Sequence, residues 1–173
     1  SAIDPYIAFG ELDRTPSNRA ESLRQVFGRA KGLSAEIPAD IRSAMWSKFL
    51  FIAPVSGLGA ITRVPIGVFR HIPETRGLLI EAFEEIVALA GALGISLPKD
   101  AVKQTLAFTD AVPPDGTSSM QRDMMDGRPS ELEAQVGAVV RLAGRAGVDV
   151  PVHRFMLAAL LHEYPWDFLY GSI

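Results

Sequence analysis

Lys48 is the residue of this sequence whose surroundings most clearly suggest chemistry. It lies in the middle of the most apolar stretch of the chain, residues 41–57, and large apolar residues follow it at 49–52. A lysine is rarely buried unless it is paired, and burial lowers the pKa of its ammonium and prepares it for proton transfer. The other interpretation, the commoner one for such a position, is a lysine that extends from an amphipathic helix into water.

A second segment, residues 117–133, concentrates hydroxyls, carboxylates and two arginines between two predicted helices. Two adjacent serines near its start can cap a short helix, and Ser130 with Glu133 matches the capping-box pattern. These caps account for several of the polar residues without any function. They do not require Glu131, which lies where a helix N-terminus would keep a carboxylate ionised.

Several familiar kinds of site are not predicted. There is no nucleophile elbow, and no histidine is placed to serve Ser119 as a base. Gly57-Leu-Gly59 is only a fragment of a phosphate-binding loop, and a packing bend explains it better. Cysteine is absent from the sequence, and the histidines lack the spacing of a zinc site, so no metal is expected. These histidines are His71, His153 and His162.

The composition is that of an ordinary globular domain with a real core. The chain has 173 residues, of which 48% are hydrophobic and 21% charged, with a net charge of −3. No basic stripe suggests a nucleic-acid partner. Arg42 and Lys48 interrupt the best apolar run, so no membrane span is expected. We expect a cytoplasmic protein, since no signal peptide is apparent, and the start at Ser1-Ala2 suggests a piece of a longer or processed protein.

Most of the chain is predicted to be helical. Asp40 should cap the helix that carries Lys48, Pro54 should bend or break it, and Gly57 and Gly59 should end it in a close-packed bend. The helix that begins at Pro73 has the widest apolar face and should lie at the centre of the core. The predicted helices cover roughly 19–30, 41–57, 73–93, 100–111, 118–124, 130–146 and 151–161.

The two ends of the chain differ from this pattern. Residues 6–9 form a short β-prone run with no obvious partner strand nearby, so we expect the last strand or exit linker of a sheet that lies elsewhere. The aromatic tail Trp166-Asp-Phe-Leu-Tyr170 could dock on the body of the protein or form part of an interface between subunits. The fold class expected is all-α apart from the N-terminal strand.

Several short segments together resemble a known family. Each is weak alone, but the ordered set is specific, and order and spacing agree over essentially the whole chain. The segments are Phe9-Gly-Glu-Leu-Asp13, Trp46-Ser-Lys48, Ala60-Ile-Thr62, Pro73-Glu-Thr-Arg76, Ser118-Ser-Met120, Asp123, Gly127-Arg-Pro-Ser-Glu131 and Gly147-Val-Asp-Val-Pro151. The set resembles the C-terminal domain of the ketopantoate reductases (2-dehydropantoate 2-reductases).

The resemblance implies a fold and a domain organisation. The fold would be a multi-helix domain of the 6-phosphogluconate dehydrogenase C-terminal type, preceded in the whole protein by a Rossmann domain that binds NADPH. Residues 1–16 would be a remnant strand and linker of that absent domain, and residues 17–173 the helical substrate-binding and catalytic domain. This chain alone would then be inactive, and a homodimer is a further possibility for such domains.

The resemblance also implies roles for individual residues. The reaction would be reduction of ketopantoate to pantoate in pantothenate (coenzyme A) biosynthesis. Lys48 would be the general acid that protonates the keto oxygen as hydride arrives at carbon, which suits a positioned ammonium because an alkoxide develops there. Glu131 would orient or tune Lys48, and Ser119 would hydrogen-bond the substrate. The residues that bind NADPH would lie mostly on the absent domain.

Two positions depart from the family pattern. Where the family usually has asparagines one and two helical turns after the lysine, this chain has Ile52 and Ser56. Ile52 cannot hydrogen-bond a substrate and Ser56 reaches less far, so the predicted substrate-binding face is more apolar than usual. A bulkier or more apolar 2-oxo acid is a hypothesis that follows from Ile52. Two alternatives stay open, a related reductase on another 2-oxo or opine-like acid, and a helical dimerisation or binding module without catalysis.

Overall fold

A computed structural model of the chain describes residues 5–162, and most of them are helical. The predicted tail at 166–170 lies outside the described residues. The all-α class is confirmed, with only a short strand pair beside the helices. In chain order the elements are β1 (Tyr6–Ala8), α1 (Asn18–Phe27), β2 (Ser34–Glu36), α2 (Ile41–Thr62), α3 (Ile66–Phe69), α4 (Pro73–Ala92), α5 (Ala101–Ala111), α6 (Ser119–Met125), a π-helical turn (Glu133–Gly137), α7 (Ala138–Ala146) and α8 (Pro151–Leu161).

The chain divides into two compact units, with the boundary between Ser47 and Lys48 inside α2. In the first unit, β1 pairs in parallel with β2, and Tyr6 lies opposite Ser34. The expectation that β1 has no partner strand nearby was wrong. The partner is only three residues long and reads Ser-Ala-Glu, so neither β-branched residues nor alternation marked it. Helix α1 connects the two strands, as a parallel pair requires.

Polar groups hold the start of α1. The hydroxyl of Ser17 accepts a hydrogen bond from the amide of Ala20 at 3.1 Å. The same hydroxyl donates to Glu11 at 2.6 Å, and Arg19 pairs with that carboxylate as well. The hydrogen bonds from Arg19 and then Ser17 lower the pKa of Glu11 to about 2. The segment between β1 and α1 is therefore tied to the helix N-terminus.

Helix α2 begins where predicted but extends further. The carboxylate of Asp40 accepts from the amides of Arg42 and Ser43 at 3.0 and 3.3 Å, which confirms the cap. Pro54 does not break the helix, and the prediction that Gly57 and Gly59 end it was wrong, since α2 runs on to Thr62. The two glycines instead admit neighbouring side chains, because each is buried in contact with another helix.

The length of α2 also corrects the expectation about membranes. The helix has 22 residues and a mean hydropathy of 1.4 over its most apolar window, so it is long and apolar enough to cross a bilayer by those criteria alone. Arg42 and Lys48 do not prevent this. Half of that window is buried inside the protein, which is the pattern of a core helix, and a single such helix is weak support for a span.

In the second unit the core surrounds α4, as its wide apolar face predicted. This helix packs against α5, α7 and α8. Phe83, Ile86, Leu89 and Ala90 on α4 have no exposed surface. The start of α4 at Pro73, the start of α8 at Pro151 and the ends of α4 and α7 before Gly94 and Gly147 also agree with the sequence. The four-residue helix α3 was not predicted.

Two glycine-to-alanine changes should have effects of opposite sign on the free energy of unfolding. A Cβ at position 59 would lie 2.7 Å from the side-chain oxygen of Gln121. The Gln121 side chain is buried, and its Nε2 donates to the carbonyl of Val64 at 3.0 Å. We expect Gly59→Ala to lower the free energy of unfolding by about 1–3 kcal/mol, because overpacking outweighs the gain in helix propensity. Urea denaturation measures the change.

Gly77→Ala is the matched control for that prediction. Gly77 lies inside α4, and nothing lies within 4 Å of a Cβ added there. Alanine should therefore raise the free energy of unfolding by up to about 1 kcal/mol. Equal effects of the two substitutions would mean that the contact between Gly59 and Gln121 is not tight.

Candidate functional site

Lys48 lies on α2 with its side chain exposed. The interpretation that Lys48 is buried within this chain is wrong. The side chains of α2 that lie in the core belong to other residues, and Leu50, Ala53 and Val55 among them are at most 6% exposed. Within residues 5–162 the ammonium of Lys48 makes no hydrogen bond and no ion pair. All its donor positions are therefore available to a ligand.

Lys48, Ile52 and Ser56 follow one another at intervals of one helical turn, so they share one face of α2. Along this face exposure falls steadily. Lys48 is exposed, Ile52 is half-buried and Ser56 is fully buried. The distance along the helix axis from the first to the last is about 12 Å. The face thus leads from the surface into the interior, with an apolar side chain at its middle.

The hydroxyl of Ser56 is buried and has no hydrogen-bond partner among the described residues. A serine inside a helix commonly donates to the carbonyl one turn back, and a buried polar group left unpaired costs about 1–3 kcal/mol. The hydroxyl of Ser56 therefore lies unpaired and out of contact with solvent at the inner end of the face.

The C-terminal half of α2 contacts the two elements that carry the other predicted residues. A Cβ at Gly57 would lie 3.2 Å from the side chain of Val136 in the π-helical turn, which follows Glu131 by two residues. A Cβ at Gly59 would meet Gln121 on α6, the helix that begins at Ser119. The small glycines allow both contacts, and the segments that bear Ser119 and Glu131 are thereby anchored to the helix of Lys48.

The adjacent serines at the start of α6 have different roles. Ser118 is the N-cap, and its hydroxyl accepts from the amide of Gln121 at 3.0 Å. Ser119 is the first helical residue; it is exposed, and its hydroxyl makes no hydrogen bond with the described residues. Capping therefore occupies only Ser118. The hydroxyl of Ser119 is therefore not used by the fold.

Glu131 is exposed, and its carboxylate accepts a hydrogen bond from the side-chain amide of Gln135 at 2.7 Å. No ion pair joins it to Lys48 among residues 5–162, so the predicted partnership of Glu131 with Lys48 stays a prediction. The π-helical turn starts two residues later, and its widened hydrogen bond runs from the amide of Gly137 to the carbonyl of Leu132 at 3.0 Å. Single π turns are frequent at functional sites.

The loop between α6 and the π-helical turn is held by Arg128. Its guanidinium contacts Asp123 at 2.8 Å and Asp126 at 3.0 Å, and its amide donates to the carbonyl of Asp123 at 2.8 Å. The predicted capping box of Ser130 with Glu133 is not formed. The hydroxyl of Ser130 accepts from the amide of Leu132 at 3.4 Å, and Glu133 pairs with the later residue Arg141.

Two glutamines of this region were missed by the analysis of the sequence. Gln135 lies one turn after Glu131, a spacing at which glutamine and a carboxylate commonly meet. Gln121 stands at the third position after the cap Ser118, as in a capping box. Its side chain is buried and bonds instead to the carbonyl of Val64, which ties α6 to the segment after α2.

Comparison with known proteins gives the family. Residues 40–164 match the family described as "Ketopantoate reductase PanE/ApbA C terminal". This match includes the whole of α2, α6 and the π-helical turn, and so every predicted site residue. The chain belongs to this family. The resemblance inferred from the sequence is therefore confirmed at the level of the family.

Relatives and solved structures agree with the ketopantoate reductase assignment. The chain is 29% identical over 143 residues to 2-dehydropantoate 2-reductase of Pyrobaculum aerophilum, covering 83% of this chain and 49% of that protein. For the enzyme of Archaeoglobus fulgidus the identity is 29% over 159 residues, covering 90% and 52%. The crystal structure of 2-dehydropantoate 2-reductase from Geobacter metallireducens superposes with a TM-score of 0.82 at 27% identity, covering 91% and 52%. The chain thus spans about half the length of these relatives.

Proposed function

We propose that this chain is the substrate-binding half of a two-domain, NADPH-dependent 2-oxo acid reductase, and that ketopantoate is its substrate. The observation that carries the proposal is the partnerless, exposed ammonium of Lys48 on the helix that the ketopantoate reductase family shares. A preceding Rossmann domain, which residues 1–16 would join to the helices, would complete the enzyme. We also propose that the protein is cytoplasmic and acts as a homodimer.

The chemistry follows from where charge develops. NADPH, held mainly by the preceding domain, would supply a hydride to the keto carbon of the 2-oxo acid. As the carbonyl double bond breaks, its electron pair moves to oxygen, and the ammonium of Lys48 gives that oxygen a proton. The product is a 2-hydroxy acid, and Lys48 recovers its proton from water. A positioned cation is suited to this step because it stabilises the developing alkoxide before it protonates it.

The neighbouring groups have subsidiary roles in the proposal. Ser119, whose hydroxyl is not used in capping, would hydrogen-bond the substrate. Ser56 would line the inner end of the face, with its unpaired hydroxyl fully buried. Glu131, held by Gln135, would orient the lysine or a substrate hydroxyl once the substrate is in place. Ile52 would form an apolar wall between Lys48 and Ser56.

The first test is an assay of the complete polypeptide that contains this chain. NADPH oxidation is followed at constant enzyme concentration with ketopantoate, and pantoate is identified as the product. Turnover with formation of pantoate supports the proposal, and this chain without the preceding half should show none. A folded protein that binds NADPH but leaves ketopantoate, pyruvate and branched 2-oxo acids unchanged would favour the alternative of a helical binding module.

A second candidate substrate class follows from Ile52. An isoleucine one turn after Lys48 replaces a hydrogen-bonding side chain with apolar surface, so a 2-oxo acid with an apolar side chain could be preferred over ketopantoate, which carries a hydroxyl. The ratio of kcat/KM for ketopantoate and for an apolar analogue of the same length, such as 3,3-dimethyl-2-oxobutanoate, separates the two possibilities.

Ile52→Asn should shift that ratio towards ketopantoate by about tenfold. A substrate hydroxyl that gains one hydrogen bond in a partly buried site is stabilised by about 1–1.5 kcal/mol, which corresponds to that factor. The matched control is Ile61→Asn, another half-buried isoleucine on α2. If both variants change the ratio equally, or if neither does, the side chain at position 52 does not select the substrate.

A further inference from the structure

A polar depression lies among the elements that follow α2. It has a volume of about 280 Å³ and is lined by Arg70, His71, Arg76 and Asp110. These residues come from the junction of α3 and α4 and from the end of α5. None of the residues predicted for the substrate face lines the depression, although α5 also packs against α2 through the rings of Phe51 and Phe108, whose centroids are 4.9 Å apart.

Arg70 is the unusual member of this group, because it is only 7% exposed. Its Nη1 donates to the carbonyl oxygens of Thr109 at 2.7 Å and Val112 at 2.6 Å, which ties it to the end of α5. Its Nε is buried without a partner among the described residues. Its Nη2 also makes no hydrogen bond with them, but unlike Nε it retains access to solvent. A guanidinium offers five donors, and here only Nη1 is satisfied.

Asp110 is the acid in this depression, and it is already engaged. Arg76 holds it with two hydrogen bonds of 2.8 Å. These hydrogen bonds lower the pKa of the Asp110 carboxyl and outweigh the opposing effect of burial, and nearby charges, first that of Arg76 and then that of Arg70, lower it a little further. Asp110 is therefore ionised at neutral pH, and its one negative charge is opposed by two guanidinium charges. The depression keeps a net positive charge.

His71 adds a further group on the exposed side. Its Nδ1 lies 2.6 Å from the carbonyl oxygen of Gly67, so Nδ1 carries a proton and donates to it. In a neutral imidazole the other ring nitrogen is then an acceptor, so the ring offers no donor to an anion. The donors of the lining are thus an under-used buried guanidinium and a paired guanidinium, and guanidinium groups bind carboxylate and phosphate oxygens in proteins.

We propose that this depression binds a small oxyanion, a carboxylate or phosphate group, through Arg70, and that Asp110 is an internal competitor for the same positive charge. An anion would supply an acceptor for the Nη2 of Arg70, which the protein leaves unsatisfied. The two guanidinium groups would repel a cation, and an apolar ligand would supply no hydrogen-bond acceptor for them. The proposal does not depend on the reductase activity.

The experiment measures binding of inorganic phosphate and of succinate to the complete protein by calorimetry, at ionic strength held constant with sodium chloride. Wild type should bind at least one of the two, and which one binds identifies the chemical source of the oxyanion. Asp110→Asn should tighten binding about fivefold, because it removes a repulsive charge and releases Arg76. Arg70→Met should abolish binding, provided that circular dichroism shows an intact fold.

The control is Asp100→Asn, which makes the same change of charge at the other end of α5. It should leave the affinity unchanged within about a factor of two, since distant exposed charges are screened. Because the Asp110 variant is expected to gain affinity, damage to the fold cannot imitate the result. Absence of binding in both wild type and Asp110→Asn, or an equal gain in Asp100→Asn, would overturn the proposal.

Discussion

Replacing Lys48 by methionine in the complete reductase should lower kcat with ketopantoate by about 10²–10⁴-fold, the range that a positioned general acid contributes. Methionine keeps most of the volume and the apolar stem but removes the charge and the proton. Because the ammonium of Lys48 has no partner among the described residues, its loss should leave the free energy of unfolding nearly unchanged. Steady-state kinetics and urea denaturation of the same preparation measure the two effects.

Two further variants make the Lys48 experiment specific. Lys103→Met removes another exposed lysine, on α5, and should not alter kcat. Lys48→Arg keeps a positive charge that cannot be given up as a proton at neutral pH. It should recover part of the electrostatic stabilisation but not the proton transfer, so its kcat should lie between those of wild type and Lys48→Met. If Lys48→Met retains more than half of the wild-type kcat, the general-acid role is excluded.

Glu85→Ala should lower the free energy of unfolding by about 3–5 kcal/mol, the largest effect on stability that we expect from a single substitution here. Glu85 lies on α4 and is 8% exposed. Its carboxylate accepts from the amides of Val152 and His153 at 2.7 and 3.1 Å and contacts the ring Nδ1 of His153 at 2.5 Å. Alanine would leave these buried groups unpaired, and each costs about 1–3 kcal/mol.

The adjacent residue provides the control for Glu85. Glu84→Ala changes the same charge on the same helix, but Glu84 is exposed, so the expected change is within about 0.5 kcal/mol. Glu85→Gln keeps the size of the side chain and one acceptor, so its free energy of unfolding should lie between those of Glu85→Ala and Glu84→Ala. Chemical denaturation followed by circular dichroism ranks the three proteins. A Glu85→Ala protein as stable as Glu84→Ala would show that the contacts with α8 contribute little.

The elements with local markers could be predicted from the sequence. Proline at the first position located the starts of α4 and α8, and glycine after the last turn located the ends of α4 and α7. The elements that were missed have no such markers. Residues 34–36 pair with β1 only because the chain returns there, and α2 passes Pro54 and two glycines because neighbouring side chains fill the space beside them.

The shared face of the candidate site residues could be predicted from the sequence, but their burial and contacts mostly could not. The spacing of Lys48, Ile52 and Ser56 places them on one helical face whatever the tertiary structure. Burial depends on which face the rest of the chain covers, and apolar neighbours in sequence did not show that Lys48 is exposed. The contact between Glu131 and Gln135 could have been foreseen from its spacing. The orphaned hydroxyl of Ser56 could not, because it results from packing between distant segments.

The small strand pair has a consequence for local unfolding. Two three-residue strands form the entire described sheet, and a pair of this size is marginal in water without other support. The rings of Phe9 and Phe27, with centroids 5.9 Å apart, provide part of that support within the same unit. Amide hydrogens of the strands should therefore exchange with deuterium through local openings, while those in the buried middle of α4 exchange only when the whole second unit unfolds.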